Sequence, residues 1–115
     1  MITGIHAIVF SPEAEAVRAF LRDVLGLGSV DAGGGWPVFA LPPAELAVHP
    51  AEATRHELYL QTDDLDAAVA ALAAKGVLLA RPVTTQSWGR ATAIALPDGS
   101  ELALYEPSHA RPARG

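Results

Sequence analysis

The chain says the same thing twice, and that repeat constrains its fold more than any other feature. Residues 39–50 read FALPPAELAVHP and residues 94–107 read IALPDGSELALYEP, so an ALP, a turn, an EL, an Ala, an aliphatic residue and a closing Pro recur in order. Ahead of each copy stands a short strand-like run followed by an Ala-rich helical run: IHAIVF then SPEAEAVRAFLRDVLGLG, and HELYLQT then DDLDAAVAALAAKGV. A chain made of two copies of one unit tends towards pseudo-twofold symmetry, with its site where the copies meet.

Length limits what the repeat can build. With 115 residues the chain can bury one hydrophobic core and not two independent ones. Half of the residues are hydrophobic and 18% are charged, which is ordinary globular usage. The net charge of -5 supplies no basic footprint, so nucleic acid is not an expected partner. Absence of cysteine removes a disulfide framework, a thiolate nucleophile and Cys-ligated zinc. The chain shows no charged n-region followed by an apolar h-region, and no run approaches the roughly 20 apolar residues of a membrane span. A cytoplasmic protein without membrane contact is the expectation.

Local signals give each unit the order strand, helix, three strands. In the first, residues 5–10 read as a strand, with Ser11 as N-cap and Pro12 at the first helical position. Val17, Phe20, Leu21, Val24 and Leu25 follow at helical spacing, and Gly26 and Gly28 stop the helix. Short strands are expected over residues 29–32, 36–41 and 45–49, separated by GGG and PP. The second unit repeats this with a strand over 57–62 and Asp63 as N-cap, Asp66 standing three residues on. Leu65, Ala68, Val69, Leu72 and Ala73 form its apolar stripe, and Gly76 ends the helix. Strands over 77–80, 90–96 and 101–106 complete it, with Pro97, Asp98 and Gly99 as hairpin turn. The expected organisation is one α+β domain over residues 1–107, with units 2–50 and 56–107, and a flexible tail over 108–115. Each sheet then has one face under its helix and one free, and two such sheets side by side enclose a cup, helices on the outer face.

This pattern resembles the vicinal oxygen chelate superfamily, the fold of glyoxalases, bleomycin resistance proteins and extradiol dioxygenases. The residues that carry the resemblance are GIHAIVF, FLRDVLGLG, HELYLQTDDLDAAVAAL, and SWGR leading into LPDGSELALYEP. Their order and spacing are specific for the fold and not for a reaction. The resemblance implies two tandem βαβββ units forming a curved mixed sheet around the cup, and relatives that commonly pair as homodimers.

Strand parity selects what lines the cup, because side chains alternate between faces and a slip of one residue inverts them. In the second unit Leu58, Leu60 and Thr62 fall under the helix, and Glu57, Tyr59 and Gln61 in the cup. Leu46, Val48, Leu102 and Leu104 face the helices, leaving Glu45, Ala47, His49, Glu101, Ala103 and Tyr105 inward. His6 and Glu57 are equivalent, each six residues ahead of its expected helix start. Trp88 and Trp36 are candidate aromatic walls or ordinary buried side chains. His56 has the opposite parity, and Arg90 is a candidate counter-ion for an anionic substrate or an exposed arginine.

The resemblance implies a metal held by four positions, here His6, Ala47, Glu57 and Ala103. Two of them are alanines and cannot ligate. His49 lies two residues beyond Ala47 on the same face, about 6.6–6.8 Å along the strand, whereas a zinc–nitrogen bond is about 2.0–2.1 Å. A shifted His6, His49 and Glu57 set would suit a divalent Fe, Mn, Zn or Ni. Two readings follow. In the preferred one the protein binds a small, planar organic ligand in the cup through His6, Glu45, His49, Glu57, Tyr59, Gln61, Trp88, Glu101 and Tyr105, without the usual metal quartet and with no other cofactor. In the alternative it is a metal-dependent lyase, isomerase or dioxygenase with Glu57 as catalytic base.

Overall fold

The computed structural model describes residues 6–45, 47–53 and 55–110. The protein is α+β, with two helices and two sheets. It divides between Val48 and His49 into two compact units.

In the first unit, helix α1 spans Ala14–Asp23 and buries Val17 and Phe20, two positions of the expected stripe. It starts later than the sequence signals. Pro12 lies in a turn, and the Ser11 hydroxyl accepts the Glu13 N–H at 3.1 Å, so Ser11 caps that turn rather than the helix. Glu13, at the N-cap position, makes no side-chain cap. Strands β1 (Ser29–Asp31) and β2 (Pro37–Phe39) pair antiparallel, joined by a loop in which Asp31 Oδ1 accepts the N–H groups of Gly33 and Gly35 at 2.7 and 3.2 Å. The strands expected over residues 5–10 and 45–49 are absent at the described positions 6–10, 45 and 47–49; Ile5 and Leu46 lie outside the described residues. A strand is stabilised by the ladder that satisfies its backbone, and the described positions of these segments enter none. Their apolar side chains consequently stand in solvent: Ile8, Val9, Phe10 and Val48 are all more than half exposed.

The second unit is a complete βαβββ motif. Strand β3 (Tyr59–Gln61) leads into α2 (Leu65–Ala74), and β4 (Leu79–Gln86), β5 (Gly89–Ala95) and β6 (Glu101–Pro107) follow, in the sheet order β3-β6-β5-β4. The helix cap falls one residue after the expected one, because Asp64, not Asp63, accepts the Ala67 N–H at 3.0 Å. Glu106 on β6 takes the orphan N–H of Leu65 at 2.9 Å, fixing the helix start to the sheet. At the other end the N–H groups of Gly76 and Val77 bond to Ala73 and Leu72, with Gly76 at φ 78°, a Schellman closure. Strand β4 runs well past the expected end at Ala80. Pro82 cannot donate to the ladder, and the β4–β5 register shifts between Arg81 and Thr84 to accommodate it.

Leu65 and Leu72 of α2 are buried, and so are Thr92, Ile94 and Leu96 of the β5 segment and Leu102 and Leu104 of β6. The last two are the positions assigned by parity to the helix side, and Glu106, of the same parity, reaches α2 as well. Arg90 shares that side, where its guanidinium makes a two-pronged contact with Asp66 at 3.0 and 3.2 Å. It is therefore a clamp between β5 and α2 and not a counter-ion on the free face.

Candidate functional site: an aromatic cluster on the free face of the second sheet

The face of the second sheet opposite α2 is built from alternate residues of β3, β5 and β6. Register places Tyr59 beside Ala103 and Gln61 beside Tyr105; Ala93 and Ala91 are their next neighbours on β5. Small residues in the middle of this row leave the aromatic rings of Tyr59 and Tyr105 standing above the sheet. Trp88 joins them from the two-residue turn between β4 and β5, where Gln86 pairs with Gly89. That turn is held close to β6: a Cβ on Gly89 would sit 2.3 Å from the Glu106 carbonyl oxygen, and φ is +152°. Only glycine fits there, and it is what lets Trp88 reach Tyr105.

The three rings meet edge to face, with centroids 6.4 Å apart for Tyr59 and Trp88, 5.7 Å for Tyr59 and Tyr105, and 5.5 Å for Trp88 and Tyr105. Such contacts are worth about 0.5–1.5 kcal/mol each beyond area burial. The cluster is nevertheless open to solvent, Tyr59 being 43% and Trp88 38% exposed. Polar groups rim it. Tyr59 donates its hydroxyl to Glu57 Oε2 at 3.1 Å, and the Arg55 guanidinium donates to Glu57 Oε1 at 3.2 Å. Partial burial, and then the Glu57 carboxylate, raise the Tyr59 phenol above its ordinary value. Gln61 Nε2 donates to the Tyr105 hydroxyl at 2.8 Å, and Arg81 pairs with Glu101 at 3.0 Å.

Of the residues singled out in the sequence, the structure thus brings together Glu57, Tyr59, Gln61, Trp88 and Tyr105. Glu101 lies on the same face, engaged by Arg81. His49 is exposed in a stretch without strand structure, as is His56. In the first unit His6 is exposed and Glu45 half-buried, both outside any strand. Trp36 packs its ring against the Arg18 guanidinium, 5.5 Å from the centroid. Two contributors were missed: Arg81, placed beyond the expected end of β4, and His109, assigned to the tail. His109 meets the Tyr105 hydroxyl through Nε2 at 3.0 Å, with ring centroids 5.9 Å apart and planes inclined by 26°. No periodic signal reaches His109, since Pro107 closes the last strand.

A family model described as the Glyoxalase/Bleomycin resistance protein/Dioxygenase superfamily matches residues 5–104. The chain belongs to this superfamily. Among solved structures it is similar to TnmS3, an antibiotic binding protein from Streptomyces sp. CB03234, at 23% identity over 93% of this chain and 98% of that one, with a TM-score of 0.62. A superfamily member from Sphaerobacter thermophilus DSM 20745 is 26% identical over 91% and 98% of the two chains, also with a TM-score of 0.62. Lactoylglutathione lyase from Agrobacterium tumefaciens is 18% identical over 90% and 92%, with a TM-score of 0.64. No curated protein gives a significant match.

The superfamily often uses a divalent metal, and the donor set here does not fit one. Two of the four implied ligand positions are Ala47 and Ala103. Both oxygens of Glu57 are already engaged, by Arg55 and by Tyr59. Among the described residues no group of three or more His, Asp or Glu side chains is placed to hold a metal ion.

Proposed function

We propose that the protein binds a small, planar aromatic molecule on the free face of the second sheet, in the manner of the antibiotic-binding branch of its superfamily and without a metal quartet. The observation that carries this reading is the half-exposed cluster of Tyr59, Trp88 and Tyr105. Three rings stand over alanines in the sheet and have hydrogen-bonding groups at their rim. A protein does not gain by leaving such a surface wet, and ligand sites are commonly apolar and aromatic with a few placed polar groups. Similarity to TnmS3 supports the choice of a binding protein, at the level of the fold. Glu57 and Gln61 then act as orienting groups for polar substituents of the ligand, and Tyr59 and Trp88 as its walls.

The same reading includes a homodimer. Ile8, Val9, Phe10, Val30, Trp36 and Val48 of the first unit are exposed apolar side chains, and among the described residues no third strand joins the β1–β2 sheet. Light scattering should give twice the 12.0 kDa of one chain. No described helix is long and apolar enough to cross a membrane, and the expected setting is the cytoplasm.

The binding test is a titration with 2-naphthol followed by Trp88 emission in a Trp36→Phe background. Saturable quenching that weakens about tenfold in Tyr105→Ala is expected, the scale of losing one aromatic partner. Unsaturable quenching, or equal affinity in Tyr105→Ala, rejects the site.

A further inference from the structure

The hydrogen bonds around Tyr105 run in one direction. The Ala110 carbonyl can only accept, so the 2.8 Å contact from His109 Nδ1 places the imidazole proton on Nδ1. That leaves Nε2 as a bare acceptor, 3.0 Å from the Tyr105 hydroxyl, which donates to it. Tyr105 in turn accepts from Gln61. His109 therefore gives Tyr105 an in-plane nitrogen that takes the phenol proton, its ring lying end-on to the phenol with the planes inclined by 26°. Tyr59 and Trp88 meet the same ring only edge on, at 83° and 72°.

The segment that carries His109 is tied down beside the cluster. Ser108 N–H donates to the Trp88 carbonyl at 3.0 Å, and Ser108 Oγ donates to the Ser87 carbonyl at 3.4 Å. Two hydrogen bonds, one of them long, are a modest anchor for a short segment following β6. Local opening of such a segment is far cheaper than unfolding the sheet.

We infer that residues 108–110 form a removable strap whose His109 ring occupies the berth at the Tyr105 hydroxyl, and that the ligand which displaces it is a planar heteroaromatic with an in-plane acceptor, a ring nitrogen or ring carbonyl. This rests on the proposed aromatic-ligand site and specifies its ligand. Such a molecule replaces the acceptor that His109 supplies. A hydrocarbon of equal size leaves the Tyr105 hydroxyl without one.

Quinoline and naphthalene, which differ by one ring nitrogen, test the inference on the full-length chain in the Trp36→Phe background. Removing the plug with His109→Ala should tighten quinoline about tenfold, the gain expected when a berth open one-tenth of the time becomes always open. His109→Phe, which refills the berth with a ring, should remain as weak as the parent. Tyr105→Phe in the His109→Ala protein should abolish the preference for quinoline over naphthalene. Equal quinoline affinity for the parent and His109→Ala, with Tyr105→Ala still weakening 2-naphthol, overturns the strap and leaves the aromatic site standing. If neither 2-naphthol nor quinoline saturates any of these proteins, the site itself fails and the strap with it. Thermal melting of each variant identifies any that is not folded, and His109→Ser then replaces His109→Ala as the open form with the same expected gain.

Discussion

Two units with matching sequence patterns reach different ends. The second is a four-stranded sheet whose helix is capped by Asp64, anchored by Glu106 and clamped by the Arg90–Asp66 pair. The first has a helix without a side-chain cap and a two-stranded sheet, and its remaining strand-like segments form no strand at the described positions. Hydrophobic alternation qualifies a segment as a strand, but the ladder partner makes it one. In the second unit a close turn at Gly89 and a Pro-Asp-Gly hairpin bring partners together locally. In the first, the GGG loop joins β1 to β2 alone.

Substitutions can sharpen that contrast, beginning with glycines. Gly89→Ala drives a methyl group into the Glu106 backbone at 2.3 Å, and should cost about 3 kcal/mol or more. It should also detach Trp88 from Tyr105, visible as a shift of Trp88 emission. Gly28 has nothing within 4 Å of an added Cβ and no positive φ. Gly28→Ala should therefore leave urea unfolding unchanged, and an equal loss at both positions would put comparable constraint in the first unit.

Core and surface give the next largest difference. Ile94 is 1% exposed, so Ile94→Ala should cost about 2–5 kcal/mol at any protein concentration. Phe10 is 89% exposed, and Phe10→Ser should be silent in the isolated chain while weakening the proposed dimer. Urea curves at two protein concentrations separate these effects: a concentration-independent loss in Phe10→Ser would mean that the ring is buried within its own chain.

What the residues made legible follows the same divide. Parity alone put Leu102 and Leu104 beneath α2 and Tyr59, Gln61 and Tyr105 on the other face, because alternation survives errors in strand ends. Boundaries were less legible. Pro82 signals the end of a strand, but a register shift carries β4 through it, and Pro12 signals a helix start that a turn postpones. Pairing was not legible at all in the first unit, since HAIVF carries the apolar run and ELAVH the alternation of a strand, and nothing in their composition says what they pair with. His109 was hidden for a different reason: its role depends on where the chain goes after β6, which no local periodicity encodes.

The helix starts offer a smaller and more controlled comparison. Asp64→Ala removes an acceptor for the Ala67 N–H and should cost about 1 kcal/mol, with a loss of helicity confined to α2. Glu13→Ala removes no side-chain cap and should change stability by less than the error of measurement. Circular dichroism with urea unfolding checks both, and a comparable loss from Glu13→Ala would show that α1 depends on a cap after all.

The smallest effect concerns two ion pairs that look alike and differ in where their partners lie along the chain. Hydrogen bonds from Arg90 and Arg22 hold the carboxyls of Asp66 and Asp23 below their ordinary value of 3.8. A lowered folded-state value means stability that is present above the unfolded value and lost as pH falls through the folded one. Asp23 and Arg22 are neighbours in sequence, so much of their attraction persists in the unfolded chain and cancels. Asp66 and Arg90 are brought together only by folding α2 onto β5. Asp66→Asn should therefore lower the melting temperature slightly at pH 7, with the difference from the parent closing as pH drops below about 4; Asp23→Asn should show no such pH-dependent gap. Both pairs are solvent-exposed, so 1 M salt should shrink the Asp66 effect as well. A gap that persisted at pH 2 would assign the loss to packing at the α2 start rather than to charge, and the α2 start would then be tied to the sheet through β6, by the Glu106 bond to Leu65.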